Sequence, residues 1–431
     1  MRSLAAVLLL LSASPAWAGP QTWVLSVDRW GNAERSTLTL EEEGDALSGK
    51  LNTLAVEGRR DGDALVFSAV DSDGARYRFE AAQVGDTLSG WADYPDTNIP
   101  DARARHAFTA QRLEIPVGPP QRRTYDPETF SNAFTAERAP VMVIRPGDVI
   151  ATRTIDSGGV DEHGRTVALY GNPQTGPFFI AGANPGDVVA IHIRKLALNR
   201  DYADSLDGFT SSAMPLRLAA GAADLGQRVR WRLDRAAGTA RLENPPTGLK
   251  DYVVPVRPML GGVGVAPDFG FAPFSAGDTG RFGGNMDFNQ VGQGVTLYLP
   301  VYQPGALLFL GDGHALQGDG ETTQWALETS LDVEFSVEIL PGRPLSSPRV
   351  ETADAITVIG QANSLDEAVR AATGSMVQWL EQDYGLSVSE TSLILGTAAQ
   401  YRVVTLAGRN AGMALSLDKA LLRDLPKKPG Q

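Results

Sequence analysis

The stretch GDGHALQGDGE, residues 311–321, concentrates side chains that could do chemistry. Asp312, His314, Asp319 and Glu321 lie within these eleven positions and are separated mainly by glycines. Side chains two residues apart in an extended chain point the same way, so Asp312 and His314 can converge on one point, and so can Asp319 and Glu321. We expect the intervening glycines to adopt positive φ and to bend the two pairs towards each other.

This cluster allows two kinds of chemistry. Carboxylate oxygens with one imidazole are suitable ligands for Zn²⁺, Mn²⁺ or Ca²⁺. Without a metal, crowded carboxylates repel, which would raise one pKa and suit a general acid or base near neutral pH. A charged, glycine-rich surface loop is the alternative, and the spacing does not fit an EF-hand. The flanking stretches 306–310 and 325–335 favour a functional site, because a charged loop between two buried strands normally has a function.

The elements that must position the cluster are mainly strands. The unbroken apolar run in 305–312 predicts a strand covered on both sides, and 331–340 alternates as a half-buried strand does. Pro-Gly-Asp turns at 146–148 and 185–187 each precede a strand. Helix is predicted only late in the chain. A capping box of Ser364 and Glu367 begins a helix that ends at Gly385, residues 387–400 form a second, and 401–406 form a closing strand.

The chain is therefore predicted to be mainly β, with two domains. Residues 20–113 alternate apolar and polar residues between Gly-Asp turns, which predicts an antiparallel β meander or barrel-like domain. In this domain we expect His106 to face solvent. Residues 114–135 are interpreted as a Pro-rich linker. Residues 136–425 are expected to form the catalytic domain, a jelly-roll-like β-sandwich with a small C-terminal helical part.

Charge and cysteine content exclude several functions. The net charge of −13 argues against nucleic acid or an anionic membrane surface as a partner, since both require basic patches. The chain has no cysteine, which excludes a cysteine nucleophile and cysteine-ligated zinc.

The N-terminus is typical of a Sec-type signal peptide. A positive residue, Arg2, precedes an apolar run over 4–13 that is too short to span a bilayer, and Ala16 and Ala18 supply small residues before a cleavage site. We therefore expect residues 1–18 to be removed and the mature protein, with no membrane span, to be periplasmic or secreted.

The sequence GGNMDFNQVGQGVTLYLPVYQPGALLFLGDGHALQGDGETTQWALETSLDVEF, residues 283–335, closely resembles the central signature of the acetamidase/formamidase family. Three other stretches resemble the family in the same order: 145–164, 170–200 and a glycine-rich turn at 256–267. The resemblance covers roughly residues 140–422 and leaves out 20–113, which would be an appended domain. Gln324 and Trp325 stand where the family usually has a small residue, so Trp325 is expected to reshape the substrate pocket.

The resemblance implies hydrolysis of a small linear amide to a carboxylate and ammonia. A divalent metal ion, Zn or Ca, is expected to assist, because no cysteine nucleophile exists and only His314 is well placed for a serine triad. The implied site comprises His314, Asp312, Asp156 and Asp287 as metal ligands and Glu321, Glu328, Asn285 and Asp319 in catalysis. Glu321 or Glu328 would accept a proton from water, and Asn285 would donate to the developing oxyanion. His192 matches a variable position and is expected to be a packed core residue.

The protein is expected to form a homo-oligomer, namely a dimer. Two functions without catalysis are also compatible with the same residues. The chain could be a Ca²⁺-stabilised periplasmic binding protein that has lost activity, or a structural protein of the cell envelope on the same fold.

Overall fold

The structure is a computed structural model that describes residues 19–99, 101–222 and 224–428. The predicted signal peptide, residues 1–18, lies outside the described residues. The chain divides into two compact units after Ile115. Within the described ranges, no helix has the length and apolar character needed to cross a membrane.

The first unit is a closed antiparallel barrel, as the alternating pattern predicted. Each strand pairs with the next, and the first also pairs with the last. The strands are β1 Gln21–Arg29, β2 Asn32–Glu43, β3 Ala46–Leu51, β4 Leu54–Asp61, β5 Ala64–Val70, β6 Arg76–Val84, β7 Thr87–Pro95 and β8 Arg103–Leu113. Alternate side chains fill the interior, among them Trp23, Phe67 and Phe79.

The prediction for His106 was wrong. It is buried, 3% exposed, because it lies two residues before Phe108 and points with it to the inner face of β8. Its ring makes edge contacts with Trp30 and Tyr94, and its Nδ1 lies 3.1 Å from the Asp28 carbonyl oxygen.

The second unit contains the remaining strands. These are β9 Arg122–Thr124, β10 Ala133–Phe134, β11 Met142–Ile144, β12 Val149–Arg153, β13 Gln174–Ile180, β14 Val188–Leu198, β15 Tyr202–Leu206, β16 Arg228–Asp234, β17 Thr239–Leu242, β18 Val253–Pro255, β19 Met259–Gly264, β20 Phe274–Ser275, β21 Thr279–Gly280, β22 Gly283–Asn285, β23 Thr296–Pro300, β24 Leu308–His314, β25 Leu331–Leu340, β26 Arg349–Glu351, β27 Ala355–Ala362, β28 Gln400–Val403 and β29 Ala411–Asp418.

Two large sheets dominate this unit. One has nine strands in the order β28-β29-β27-β26-β23-β14-β25-β12-β9, and the other has six in the order β11-β13-β24-β19-β22-β21. Phe178 of the smaller sheet and Phe335 of the larger are both buried, with ring centroids 5.3 Å apart, so the sheets pack face to face there. Small sheets of two strands, β10 and β20, and four, β15 to β18, complete the unit.

The strands around the cluster follow the predicted pattern. Every residue of β24 is buried, and β25 alternates, with Val333, Phe335 and Val337 inside. The glycine-rich stretch expected as a turn at 256–267 instead contains strand β19, which pairs with β24 and β22. Its glycines permit the close approach of neighbouring groups described below.

The segment 114–135 is not a free linker. Its strand β9 pairs with β12 at the edge of the nine-stranded sheet, and β10 pairs with β20. The Asp148 carboxylate of the first Pro-Gly-Asp turn also accepts a hydrogen bond from the Gln121 backbone N–H. The proline content indicated a linker, but these backbone hydrogen bonds place most of the segment in the second unit.

The helices are α1 Leu216–Ala219, α2 Leu365–Tyr384, α3 Val388–Ala398 and α4 Lys419–Leu422. As predicted, Ser364 caps α2 by accepting from the Glu367 N–H, and Gly385 ends it with φ 71°. The buried face of α2 includes Met376 and Trp379, which pack in a cluster with residues of β27 and β29. The predicted closing strand is the short β28, and β29 was not predicted.

Candidate metal and catalytic site

Five titratable side chains meet where β24 ends. Asp312 and His314 belong to β24, which runs between β13 and β19 in the six-stranded sheet. Asp287 follows β22, while Glu321 and Glu328 lie between β24 and β25. Each of the five is buried, with 1–6% of its surface exposed. Charged residues are rarely this buried unless they are paired or bind a metal.

The five side chains form two overlapping groups, each of which could hold one ion. His314 Nε2 is 3.1 Å from Glu328 Oε1 and 3.6 Å from Asp312 Oδ1, so Asp312 and His314 converge as the spacing predicted. Two groups of three each offer ligand atoms that lie within 4.8 Å of one another: Asp287, Asp312 and His314, and His314, Glu321 and Glu328. His314 belongs to both groups and is therefore the centre of the cluster.

Three acids of the cluster have left-handed backbone, with φ of 49° at Asp287, 54° at Asp312 and 40° at Glu321. Such conformations cost about 1–3 kcal/mol each outside glycine and concentrate at functional sites. The expectation that the glycines would supply the positive φ holds for Gly320, with φ 82°, and fails for Gly311, Gly313 and Gly318. Gly311 and Gly313 are needed for space instead, because an added Cβ would lie 2.9 Å from the Gln174 amide or 2.8 Å from Leu331.

Gln317 fixes the tautomer of His314. Its Nε2 donates to the Asp287 carbonyl oxygen at 2.5 Å, which turns its Oε1 towards His314 Nδ1 at 2.9 Å. Nδ1 must therefore carry the proton that this oxygen accepts, and Nε2 is the nitrogen that faces the carboxylates. An imidazole oriented in this way by an outer partner is typical of a metal ligand.

Several ligand atoms of the cluster are buried without a hydrogen-bond partner. They are Asp287 Oδ1, Asp312 Oδ1, His314 Nε2 and Glu328 Oε2. Orphaned polar atoms are expensive when buried, and these are mostly anionic oxygens directed at one small region. The donor set thus fits a divalent cation, though it does not select which one. Gly261 provides the space beside it, since a Cβ there would lie 2.6 Å from both Asp287 Oδ1 and Asp312 Oδ2.

Burial and mutual repulsion raise the pKa values of the acids. Burial, with the Asp312 charge added, raises the pKa of Asp287 to about 7. Burial and then Asp287 raise the pKa of Glu321 well above its usual range. Burial also raises the pKa of Glu328, although His314 opposes this. For His314, burial lowers the pKa, but Glu328 and Asp312 outweigh it and hold that pKa well above its usual range.

These shifts predict that the metal-free protein loses stability as pH rises. The pKa of Asp287 is 3.8 for the free group and about 7 in the fold, so between these values the folded state binds a proton that the unfolded chain has released. The stability that this proton gives to the fold is fully present below pH 3.8 and is lost as pH rises through about 7. His314, whose pKa is also raised, acts in the same direction. We expect thermal unfolding in chelator to begin at a lower temperature at pH 8 than at pH 5.

Asp287→Asn is the matched variant for this measurement and should reduce the difference between the two pH values. A melting temperature in chelator that is equal or higher at pH 8 would contradict the expectation.

Asn285, predicted to donate to the developing oxyanion, makes hydrogen bonds to its neighbours in the cluster. Its Nδ2 donates to Asp287 Oδ2, and its Oδ1 accepts from Asn172 Nδ2 at 2.8 Å. Asn172 Nδ2 also donates to Asp312 Oδ2 at 2.9 Å. The two amides therefore orient the carboxylates of the cluster. Sequence reasoning missed Asn172, although it lies in a stretch, 170–200, that resembles the family.

Asp156 is not part of either group of potential ligands. It pairs instead with the buried Arg200, whose Nη2 lies 2.7 Å from Asp156 Oδ2. The same nitrogen donates to the Glu328 carbonyl oxygen, and Nε donates to the Thr329 hydroxyl. Asp156 thus acts through Arg200 to position the segment that carries Glu328. No local pattern around Arg200 indicated this role.

Asp319 lies outside the cluster. Its side chain is about half exposed, accepts from Asn289 Nδ2 at 2.8 Å and lies 3.2 Å from Arg402 Nε. The two-residue rule requires extended backbone, but Gly320 and Glu321 both have positive φ, of 82° and 40°. The turn sends Asp319 towards solvent and Glu321 inwards, where Thr405 donates to its Oε2 at 3.1 Å.

Comparisons with known proteins point to one family, and the matched part of the chain includes the cluster. The model of the Acetamidase/Formamidase family matches residues 277–406, a range that contains all five residues of the cluster. A formamidase-like protein of Schizosaccharomyces pombe is 51% identical over 59 residues, and this match spans 14% of the chain and 14% of that relative.

Solved structures are similar over most of the second unit. A predicted acetamidase/formamidase from Thermoanaerobacter tengcongensis is 27% identical with a TM-score of 0.60, and the match covers 71% of this chain and 98% of that one. An acetamidase from Yersinia enterocolitica is 27% identical with a TM-score of 0.61, covering 70% and 93%. An acetamidase from Bacillus halodurans is 26% identical with a TM-score of 0.60, covering 70% and 99%.

Proposed function

We propose that this chain, whose second unit is an acetamidase/formamidase-family domain, hydrolyses the C–N bond of a small linear amide to a carboxylate and ammonia with the help of a divalent metal ion. The observation that carries the proposal is the buried meeting of His314 with four carboxyl groups, several of whose atoms have no hydrogen-bond partner. A structural salt-bridge network would pair these atoms with arginine or lysine, whereas the cluster contains neither among the groups described.

In this proposal Asp287, Asp312 and His314 Nε2 hold the ion. When bound, the ion supplies positive charge that polarises the amide carbonyl and acidifies water. Asn172, Asn285 and Gln317 keep these groups in position through the hydrogen bonds described above. The left-handed backbone at Asp287 and Asp312 fixes the directions of two carboxylates before any ligand arrives.

Glu321 is assigned the proton transfer. It accepts the proton that water loses as the new C–O bond forms, and it returns that proton to the nitrogen as the C–N bond breaks. An amide nitrogen leaves only when protonated, so the acid must hold its proton near neutral pH. The burial that raises the pKa of Glu321 suits this task, and the Thr405 hydroxyl orients the carboxyl. Glu328 stays beside His314, held by the Ala326 N–H at Oε1.

The decisive experiment measures ammonia release from a panel of small amides, together with elemental analysis of the purified protein. The proposal expects turnover that a chelator removes and a divalent ion restores. Turnover that persists after the metal has been removed would contradict metal assistance. No turnover on any amide, with melting temperature still lowered by chelator, would favour a cation-stabilised binding protein instead.

An exposed aromatic rim supports a preference for amides with an apolar acyl chain. Trp325 lies between Glu321 and Glu328, and its Nε1 donates to the Tyr170 hydroxyl at 3.4 Å. Tyr170 is 63% exposed and lies two residues before Asn172, which contacts Asp312. Phe209, 49% exposed, forms a β-bridge with Thr323, which lies two residues before Trp325. Exposed apolar side chains next to a polar centre are typical of a surface that binds the apolar part of a ligand.

Trp325→Ala should therefore change selectivity more than catalysis. We expect kcat/KM for hexanamide to fall about tenfold, because an apolar contact to the acyl chain is lost, while the value for formamide changes less than about threefold. Steady-state ammonia release with both amides gives the ratio. The exposed Leu393 of α3 provides the control variant Leu393→Ala. Equal losses for the two amides would show that Trp325 does not contact the acyl chain.

We also propose export to the periplasm or beyond the cell, on the signal-peptide pattern of residues 1–18. N-terminal sequencing of the protein from cell fractions tests this. A mature chain that begins at Gly19 in the periplasmic or culture fraction is expected, and an uncleaved chain confined to the cytoplasm would contradict it.

A further inference from the structure

A cavity separate from the metal cluster lies in the second unit, between the nine-stranded sheet and α2. Its volume is about 300 Å³, which is at the lower end of the range for sites that bind small molecules. Part of the wall is apolar, from Val188, Ala190, Leu340 and Leu345. Another part is formed by Trp379 and by basic side chains, among which Arg349 of β26 is the most deeply buried.

Arg349 is a buried cation with neutral hydrogen-bond partners. It is 3% exposed, and its Nη2 donates to the side-chain oxygens of Gln382 at 2.9 Å and of Gln378 at 3.4 Å. Its guanidinium lies 4.8 Å from the ring centroid of Trp379, and its Nε has no hydrogen-bond partner. Within residues 19–99, 101–222 and 224–428, no carboxylate lies within ion-pair distance of it. A buried charge without an opposite charge is costly, so the position calls for an anion.

The acids that line the cavity do not fill this role, because two are already paired and the third is largely exposed. Asp383 pairs with Arg343 and accepts from Trp379 Nε1 at 2.9 Å. Glu351 lies 2.6 Å from Lys419 Nζ and accepts from the Tyr298 hydroxyl. Glu338 has a largely exposed side chain and lies 3.4 Å from His192 Nε2, an atom buried without a hydrogen-bond partner.

The lack of a nearby opposite charge also affects the pKa of Arg349. Burial, with the nearby Arg343 charge added, lowers the pKa of Arg349 to about 9. A bound anion would reverse this, since it would favour the charged guanidinium.

We propose that this cavity binds a small organic carboxylate with an apolar body, whose charge is neutralised by Arg349. A planar guanidinium can bind both oxygens of a carboxylate. The apolar wall and Trp379 would cover a short aliphatic or aromatic body. Inorganic phosphate has no such body and could not make these contacts. The site does not depend on the proposed amidase function, because none of its lining residues belongs to the metal cluster.

Calorimetric titration of the full chain with benzoate tests the proposal. We expect saturable binding, with clearly weaker binding of the neutral analogue benzyl alcohol and of inorganic phosphate. Arg349→Gln keeps a hydrogen-bonding side chain without the charge, and it should weaken benzoate binding about tenfold or more. Leu345→Trp, which fills the apolar part and leaves the charge, should weaken it as well.

Two control variants separate this cavity from other sites. Arg370→Gln removes an exposed guanidinium of α2 and should not change the affinity. His314→Ala should also retain benzoate binding, because benzoate held as an amidase product would depend on the metal cluster. Unchanged affinity in both Arg349→Gln and Leu345→Trp, loss of binding in His314→Ala, or equal binding of benzyl alcohol or phosphate would overturn the proposal.

Discussion

Replacing His314 by alanine is expected to abolish ammonia release, with a loss of roughly a thousandfold or more in kcat/KM. His314 is the member that both groups of potential ligands share, and its Nε2 lies 3.6 Å from Asp312 Oδ1 and 3.1 Å from Glu328 Oε1. Without it, the remaining acids would lose the only nitrogen ligand and the only positive partner of the cluster. The metal content of the purified protein should fall together with turnover, and elemental analysis measures this directly.

His163→Ala is the matched control, since His163 is an exposed histidine of the same unit that lies 3.3 Å from Glu162. It should retain wild-type turnover and metal content. Circular dichroism must show that His314→Ala is folded, because the change also removes a buried side chain. A folded His314→Ala protein with turnover within about threefold of wild type would remove this residue from the mechanism.

Local rules predicted the part of the site that lies on one strand. Asp312 and His314 both belong to β24 and converge as the two-residue spacing predicted, because Gly313 between them does not have positive φ, although Asp312 itself has φ 54°. The same rule failed for Asp319 because positive φ at Gly320 and Glu321 interrupts the strand geometry. A glycine indicates that a turn is possible, but it does not say in which direction the next side chain points.

The supporting residues could not be predicted in this way. Asn172 and Asp312 are 140 positions apart, and Arg200 and Glu328 are 128 apart, so only the folded sheets bring each pair together. Gln317 lies inside the stretch that first indicated a site, yet an amide in a polar loop has no distinctive pattern. Asp287 and Glu328 were identified by resemblance to a family, which contains the long-range information that spacing lacks.

Fold class was easier to predict than the site because it depends on repeated patterns. Alternation along residues 20–113 predicted an antiparallel, barrel-like first unit, and the unbroken apolar run predicted that β24 is covered on both faces. The wrong assignment of 114–135 as a linker came from composition alone. Proline is compatible with the edge of a sheet, and here the short strand β9 between the prolines pairs with β12.

Glu321→Gln is expected to lower kcat about a hundredfold to ten-thousandfold while the metal content remains near wild type. The amide can still accept from Thr405 and fills the same volume, but it cannot take a proton from water or return one to the leaving nitrogen. Ligand binding by Asp287, Asp312 and His314 would persist, so metal content and turnover should separate. That separation distinguishes a proton-transfer residue from a metal ligand, whose replacement should lower both together.

Asp319→Asn provides the control for this change, because Asp319 lies two residues away, is half exposed and pairs with Arg402. It should leave kcat within about twofold, since only a surface ion pair is altered. The pair of variants therefore tests the turn at Gly320 as well as the chemistry. If Asp319→Asn lost as much activity as Glu321→Gln, the inward position of Glu321 would not explain its role. If Glu321→Gln lost its metal, Glu321 would be a ligand, and proton transfer would pass to Glu328, the other buried acid beside His314.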